Sequence, residues 1–216
     1  MPIKTFLFDL DETLYPSSSG LWQVIGDRID LYLHDVMKFP SERIAEIRKR
    51  LFTLYGTTLR GLQVEYQVDA HEYLRFVHDI PLDRYLNPNP QLRSILMEYP
   101  EEKLIFTNAD FNHASRVLHC LGLEGCFSAV IDILTISPYC KPQKEAFEIA
   151  VHRTKASHPK DCVMIDDNTR NLAVARSLGM YAIKVGGMEE RESCDIWIPQ
   201  INDLPEVLPA TMHTGG

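Results

Sequence analysis

Short apolar runs alternate with amphipathic helical patterns through the second half of the chain, and this alternation constrains the fold most strongly. The runs are KLIFT (103–107), AVIDIL (129–134), CVMID (162–166), YAIKV (181–185) and DIWIP (195–199). Helical patterns follow the first three runs, over about 111–121, over about 142–155 and up to Leu178. Such alternation is typical of a parallel sheet covered by helices on both faces. The sequence therefore predicts an α/β fold with a doubly wound, Rossmann-like parallel sheet.

An earlier apolar run, residues 3–8, precedes a long stretch without a strand pattern. From about residue 20 to residue 86, apolar side chains recur at helical spacing. The segments PSSSG (16–20) and LNPNP (86–90) bracket this block and are typical of linkers. We predict an α/β catalytic core of residues 1–15 and 90–210, an inserted helical cap of residues 16–89, and a frayed tail at 211–216.

Composition excludes several classes of partner. With 216 residues and a net charge of −8, the chain carries no evident basic surface for a nucleic acid polymer or an anionic membrane. No apolar run approaches the roughly 20 residues that span a bilayer, and Lys4 and Asp9 come too early for a signal peptide. Five cysteines without a C-x-x-C pair indicate reduced thiols in a cytoplasmic protein. The oligomeric state stays open, a weak homo-oligomer included.

Reactive side chains stand where the predicted strands end, and in open parallel sheets ligands bind beyond those ends. They are Asp9 and Asp11 after the first strand, Thr107 and Asn108 after the second, Lys141 in the third connection, and Asp166 and Asp167 at the fourth. The carboxyl ends of parallel strands share one edge of the sheet, so these residues are predicted to form one site.

The acids in this set predict phosphoryl transfer through the protein. Asp9 and Asp11, at positions i and i+2 of an extended chain, point the same way, and their repulsion calls for a cation. Asp9 would attack phosphorus and form an aspartyl-phosphate. Asp11, if its pKa is raised, would protonate the leaving oxygen and later activate water. Asp166 and Asp167 would complete a set of oxygen ligands for Mg²⁺.

The remaining residues predict a phosphate site. Thr107, with the amides of Asn108 and beyond, opens a predicted helix, and a helix N-terminus favours phosphate. Lys141 would supply further positive charge. Pro142 is predicted at the first helical position, which places Lys141 directly before that helix.

Each cluster also has a simpler structural explanation. Acidic pairs after a strand commonly cap helices, a Thr-Asn pair can form a turn, and a lone lysine is usually on the surface. The agreement of four strand ends favours the catalytic interpretation. His113, in the first turn of the helix from about 111, is equally consistent with a surface or capping role.

Two features of the predicted cap point to substrate recognition. Gly61 lies within a helical pattern, where glycine costs about 1 kcal/mol relative to alanine, so we expect a bend or the close approach of a ligand. Its neighbour Arg60 is predicted to contact substrate, with a solvated arginine as the alternative. Tyr55, Tyr66 and Tyr73 could stack on a base, although core packing accounts for at least two of them.

The clusters DLDET, FTNAD, CKP and IDDN resemble, in their order, the four motifs of the haloacid dehalogenase-like phosphohydrolases. DLDETLYP, YGTTLRGL, TNADFNHASRVLHCLGL and CKPQKEAFEIA are similar to the pyrimidine 5′-nucleotidase branch, with Ala109 where that family often has Gly. The resemblance implies Asp9 as nucleophile and Asp11 as acid/base. It also implies Mg²⁺ held by Asp9, the Asp11 main-chain carbonyl and Asp167, with Asp166 direct or through water.

The predicted function is a Mg²⁺-dependent phosphomonoesterase whose partner is a small-molecule phosphate ester. Nucleoside 5′-monophosphates, pyrimidine ones first, are the leading substrates. The alternatives are a phosphatase acting on a sugar phosphate or another small metabolite, a hydrolytic dehalogenase using Asp9, and a phospho-receiver module. Asp11 argues against the dehalogenase, which needs no leaving-group acid, and a cap of this size argues against the receiver.

Overall fold

A six-stranded parallel sheet lies at the centre of the computed structural model, with strand order β3-β2-β1-β4-β5-β6. The structure describes residues 3–156, 158–188 and 192–210. The strands are β1 (Thr5–Phe8), β2 (Glu102–Phe106), β3 (Ala129–Ile131), β4 (Cys162–Asp166), β5 (Tyr181–Val185) and β6 (Ile196–Ile198). The doubly wound α/β prediction is confirmed. The predicted frayed tail, 211–216, lies outside the described residues.

Four helices are inserted between β1 and the rest of the sheet. These are α1 (Leu21–Leu31), α2 (Ile44–Tyr55), α3 (Thr58–Tyr66) and α4 (Ala70–Val77). The helices that follow are α5 (Pro90–Glu98), α6 (Phe111–Leu121), α7 (Lys144–His152), α8 (Thr169–Ser177) and α9 (Leu204–Val207). The segment predicted to be all-helical is therefore helical, and we call α1–α4 the cap. None of the helices in the described ranges is long and apolar enough to cross a membrane.

The register of the sheet decides which residues meet at its edge. Phe8 is paired with Ile105 on β2 and with Ile165 on β4. The residues that follow β1, β2 and β4 therefore emerge side by side. The direction of strand order reverses at β1, which is where open α/β sheets bind ligands.

Apolar side chains cover both faces of the sheet and also fill the cap. Phe8 and Ile165 belong to the cluster on one face, and Leu7 and Met164 belong to the cluster on the other. A third cluster packs the cap helices together and includes Ile133 from the core. The cap thus has an apolar centre of its own. None of the five cysteines, all of which lie within the described residues, forms a disulfide.

The third strand is shorter than the predicted run 129–134, because a buried carboxylate turns the chain at its end. The Asp132 carboxylate accepts hydrogen bonds from the Phe111 amide at 3.0 Å and the Thr135 amide at 2.8 Å. These bonds give hydrogen-bond partners to two backbone N–H groups at the turn after the strand. The strand consequently ends at Ile131.

The prediction that Pro142 begins a helix is wrong, because α7 begins two residues later, at Lys144. A turn occupies the intervening positions. The Gln143 amide donates to the Cys140 carbonyl at 2.8 Å, and the Gln143 side chain accepts from the Cys140 amide at 3.0 Å. Lys141 therefore lies in a turn closed by hydrogen bonds on both sides.

The expectation of a bend or ligand contact at Gly61 is also wrong, because α3 continues through this residue. A Cβ atom here would lie 2.7 Å from Cδ2 of Leu51 and 2.9 Å from Cδ2 of Tyr55. Glycine is required because α2 and α3 pack closely at this point.

Candidate active site

A buried lysine joins the first and fourth strand ends. Lys141 Nζ lies 2.6 Å from Asp9 Oδ1 and 2.9 Å from Asp166 Oδ2, and Lys141 is only 1% exposed. Burial alone would lower the pKa of Lys141, but the charges of Asp166 and Asp9 outweigh it and hold that pKa above its ordinary value. The lysine is therefore a permanent cation at the sheet edge.

The predicted phosphate residue Asn108 positions Lys141 with its side chain. Asn108 Nδ2 donates to the Lys141 carbonyl at 3.0 Å, and the Lys141 amide donates to Asn108 Oδ1 at 2.8 Å. This pair of hydrogen bonds fixes the backbone of Lys141 against the end of β2. The Asn108 side chain is thus committed to the protein, and a phosphate contact from Asn108 would have to come from its backbone amide.

The helix N-terminus predicted to bind phosphate is already occupied by protein carboxylates. Asp132 accepts from the Phe111 amide, and Asp110 Oδ1 accepts from the His113 amide at 3.3 Å. Thr107 lies in the turn before this helix, where its hydroxyl accepts from the Ala109 amide at 2.9 Å. Any phosphate contact is therefore limited to the turn that Thr107 begins.

Three carboxylates form a cluster that could hold a cation. One oxygen from each of Asp9, Asp166 and Asp167 lies within 4.8 Å of the others. The two oxygens of Asp166 already accept from the Asn168 amide, the Asn171 side chain and Lys141. Asp9 and Asp167 thus have more freedom to ligate a metal, and Asp166 acts mainly on Lys141.

The pKa values in this cluster show an excess of negative charge. Burial, with the charge of Asp166 added, raises the pKa of Asp9 to about 7 although Lys141 opposes the shift. Burial, with the charges of Asp9 and Asp166, raises the pKa of Asp167 to about 8. A divalent cation would relieve this repulsion, and buried carboxylate oxygens are the ligands that Mg²⁺ prefers. The donor set therefore fits Mg²⁺.

We expect Mg²⁺ to raise the thermal unfolding temperature more at about pH 8 than at about pH 6. Asp9 and Asp167 have raised pKa values, so without metal they favour folding at low pH and lose that contribution as pH rises through about 7 to 8. Metal binding requires the deprotonated forms. A thermal shift titration measures the effect, and Asp167→Asn should reduce it at both pH values. Equal shifts at both pH values for the unaltered protein would contradict this assignment.

Asp11 is held by two donors rather than by the acid cluster. Its Oδ1 accepts from the Tyr15 hydroxyl at 2.6 Å and lies 3.0 Å from His113 Nε2. Burial would raise the pKa of Asp11, but the charge of His113 and the hydrogen bonds from His113 and Tyr15 outweigh it and lower that pKa. The raised pKa on which the acid role was predicted is therefore absent from this arrangement.

Sequence reasoning missed two hydroxyls that follow the aspartates by one helical turn. The Thr13 hydroxyl donates to Asp9 Oδ2 at 3.2 Å and accepts from the Asp167 amide at 3.1 Å. Tyr15 likewise follows Asp11 by one helical turn, and its hydroxyl donates to the Asp11 carboxylate. The i, i+4 spacing of both pairs within DLDETLY was a usable signal, because residues four apart on a helical turn are neighbours.

A cavity of about 640 Å³ lies between the cap and the sheet edge. Its core side includes Asp9, Asp11, Thr107, Asn108, Lys141 and Asp167, and its cap side includes Trp22, Ile25, Arg48, Lys49, Phe52 and Tyr73. The structure thus brings these six predicted core residues together around one space, and the seventh, Asp166, contacts Lys141 without lining the cavity. Of Tyr55, Tyr66 and Tyr73, the tyrosines considered for base stacking, Tyr73 alone is among the lining residues.

Arg60 is not among the residues that line this cavity, so its predicted substrate contact has no support here. Arg48 is the arginine that lines the cavity on the cap side. Its Nη1 donates to the Gly26 carbonyl at 3.1 Å and to Asp30 Oδ1 at 3.0 Å. A Cβ at Gly26 would lie 3.1 Å from Arg48 Nη2, so glycine leaves room for the guanidinium.

A protein-family profile for haloacid dehalogenase-like hydrolases matches residues 3–179, which include the cap and every strand-end residue described above. The chain belongs to the haloacid dehalogenase-like hydrolases. The resemblance drawn from the four motifs is therefore confirmed at the family level.

Three relatives show how far this similarity extends. Over 191 residues, 82% of the chain, it is 29% identical to phosphate metabolism protein 8 of Saccharomyces cerevisiae, and it spans 60% of that protein's length. It is 23% identical to the β-phosphoglucomutase of Bacillus subtilis, covering 94% of this chain and 92% of that one. The magnesium-bound structure of Bacillus subtilis YfnB gives a TM-score of 0.65 at 18% identity, covering 96% and 99% of the two chains. At this level of identity, the similarity to YfnB is evidence for the fold alone.

Proposed function

We propose that the protein is a Mg²⁺-dependent phosphomonoesterase of nucleoside 5′-monophosphates, with pyrimidine nucleotides preferred. One observation carries this proposal. The cavity of about 640 Å³ joins an aspartate, a buried lysine and a metal-type acid cluster to a cap surface that combines aromatic rings with a guanidinium. The aspartate, the lysine and the acid cluster suit a phosphate, and the aromatic rings and the guanidinium suit a planar, polar base. Residues 16–89 would act as the cap of a cytoplasmic enzyme.

Asp9 is the proposed nucleophile. A carboxylate oxygen of Asp9 attacks phosphorus, the ester oxygen leaves, and an aspartyl-phosphate forms. Lys141 donates a hydrogen bond to Asp9 Oδ1 at 2.6 Å and so orients that carboxylate. Its positive charge offsets the negative charge that develops on the phosphoryl oxygens. Water then attacks the same phosphorus and releases phosphate, which restores Asp9.

Asp9, Asp167 and the Asp11 main-chain carbonyl would hold Mg²⁺, with Asp166 acting directly or through water. A bound Mg²⁺ would supply electrostatic stabilisation to the transferring phosphoryl group. Thr13 keeps Asp9 and Asp167 in place, because its hydroxyl bonds the carboxylate of one and the amide of the other.

Asp11 is the proposed acid and base. The lowered pKa described above leaves it ionised, which is the form that activates the hydrolytic water. A phosphate dianion bound beside Asp11 adds a like charge, and a like charge raises the pKa of a carboxyl group. We infer that Asp11 takes up a proton as the substrate binds and delivers it to the leaving oxygen.

The leaving group is the part of the substrate that the cap would recognise. Trp22 and Phe52 line the cavity while 45% and 41% exposed, which makes them available to stack on a ring. Arg48 offers further N–H donors beyond those bonded to Gly26 and Asp30, and a planar donor fork matches a carbonyl of a pyrimidine. The volume admits mononucleotides of either class, so base preference would depend on these polar contacts.

A panel of phosphate esters tests the substrate class. We expect UMP and CMP to exceed AMP and GMP in kcat/KM by at least about tenfold, which corresponds to about 1.4 kcal/mol of transition-state binding. Arg48→Ala should erode this ratio while leaving hydrolysis of a small aryl phosphate nearly unchanged. Arg50→Ala is the matched control, because Arg50 lies on the same helix and pairs outward with Glu65.

The outcomes of this panel separate the alternatives. Equal rates on purine and pyrimidine nucleotides would overturn the base preference, and a preference for a sugar phosphate would overturn the nucleotidase proposal. The similarity to a β-phosphoglucomutase makes sugar phosphates the second candidate. The apolar rings on the cap side count against them, because a polyhydroxylated leaving group needs many polar partners.

A further inference from the structure

His113 is a buried polar residue that packing alone does not explain. Its side chain is 0% exposed, and its Nδ1 is buried without a hydrogen-bond partner among the described residues. A phenylalanine or leucine would fill this space without leaving a ring nitrogen unsatisfied, which costs free energy. The residue must therefore do something that an apolar side chain cannot do.

The other ring nitrogen of His113 provides the reason. Nε2 lies 3.0 Å from Asp11 Oδ1, and an ionised carboxylate can only accept, so Nε2 is the donor. The Tyr15 hydroxyl donates to the same oxygen at 2.6 Å. The two donors come from different parts of the chain, and together they fix Oδ1 of Asp11, a residue that lines the cavity.

Contacts around the imidazole fix its orientation. The His78 ring stacks on the His113 ring with centroids 4.1 Å apart and an interplanar angle of 20°. His78 Nδ1 is bonded to Asp110 Oδ1 at 2.9 Å, and Asp110 caps the helix that carries His113. Arg116, from that helix, donates to the His78 carbonyl at 2.8 Å. These contacts hold the ring with Nε2 toward Asp11.

We propose that His113 and Tyr15 are positioning residues that aim the Asp11 carboxylate at the leaving oxygen of the substrate. This proposal rests on the proposed function, since it assumes that Asp11 handles the proton of the leaving group. Neither residue is among those that line the cavity proposed for the substrate. Their effect is to hold Asp11 where proton transfer is possible, and loss of such alignment by about 1 Å can cost about a hundredfold in rate.

Two aryl phosphates of nearly equal size provide the test. The p-nitrophenolate ion is a good leaving group that needs little protonation, whereas phenolate is poorer and depends more on an acid. Because kcat/KM covers the steps up to release of the leaving group, it isolates the step in which Asp11 acts as acid. We expect His113→Phe to lower kcat/KM for phenyl phosphate by about tenfold or more, and for p-nitrophenyl phosphate by less than about threefold.

Further variants separate positioning from folding. His113→Gln places an amide nitrogen near the site of Nε2 and should recover much of the lost rate on phenyl phosphate. Tyr15→Phe removes only a hydroxyl and should reproduce the unequal loss even if His113→Phe fails to fold. The control is His119→Phe, on the same helix with a side chain 73% exposed, which should leave both rates unchanged.

Each result decides the proposal. An unequal loss in His113→Phe or Tyr15→Phe supports it, and an equal loss on both substrates, or no loss, overturns it. Hydrolysis of neither aryl phosphate by the unaltered protein would overturn the proposed function, and this inference with it. A structural role for His113 predicts equal losses on the two substrates, together with a lower thermal unfolding temperature.

Discussion

Replacing Asp9 by Asn should abolish turnover of phosphate esters, with a loss of at least about 10⁴-fold in kcat. The amide is a poor nucleophile and cannot form the phosphoenzyme. The fold should survive, because Asp9 is a buried carboxyl whose pKa burial raises to about 7, so its ionised form is costly there. Acid-quenched reactions analysed by intact-mass spectrometry should show one added phosphoryl group on the unaltered protein and none on the variant.

Asp27→Asn is the matched control for this substitution. Asp27 is exposed on α1, bonded to Gln23, and is not among the residues that line the cavity. This variant should therefore keep full activity and the phosphoryl adduct. If Asp9→Asn retained substantial turnover, or carried the adduct itself, the covalent mechanism at Asp9 would have to be abandoned.

The core of the site was predictable because sheet geometry gathers residues that are distant in sequence. A parallel sheet brings the carboxyl ends of its strands to one edge, so locating the strands was enough to group Asp9, Thr107, Lys141 and Asp166. The pairing of Phe8 with Ile105 and Ile165 confirms that the predicted strands are neighbours. Lys141 reaches Asp9 and Asp166 from the connection after β3, where the Asn108 side chain holds its backbone at the end of β2.

The cap was harder to predict, because helical periodicity does not say which neighbour a helix face meets. Arg60 is predicted to contact substrate as the neighbour of Gly61, yet the glycine allows contact between α2 and α3. The arginine that lines the cavity, Arg48, depends on space left by Gly26 on another helix. The periodicity of one helix does not show which residue of another helix it contacts.

The protonation of Asp11 was also beyond local reasoning. Its pKa direction depends on His113, which is 102 residues away in sequence, and on a tyrosine in the following turn. Such partners can raise or lower the pKa of a carboxyl group at a strand end. The sequence placed Asp11 at the sheet edge, where it lines the cavity, while its electrostatic state required the positions of its partners.

Removal of the buried lysine should have a large effect on stability as well as on rate. Lys141→Met leaves Asp9 and Asp166 buried without their cation, and breaking a buried ion pair in this way typically costs about 3–5 kcal/mol. The rate should fall by about 10²–10³-fold, as when one group that stabilises transition-state charge is removed. Chemical denaturation in excess chelator measures the first effect, and aryl phosphate hydrolysis measures the second.

Two further conditions show that the lost stability is electrostatic. The deficit of Lys141→Met should shrink at low pH, where Asp9, whose pKa burial raises to about 7, is protonated. It should also shrink on addition of Mg²⁺, which replaces part of the missing positive charge. Lys144→Met, on the neighbouring helix with an exposed pair to Glu148, should change little. A Lys141→Met protein as stable as the unaltered one in chelator at neutral pH would show that the two aspartates do not need this cation, and the assigned role of Lys141 would be wrong.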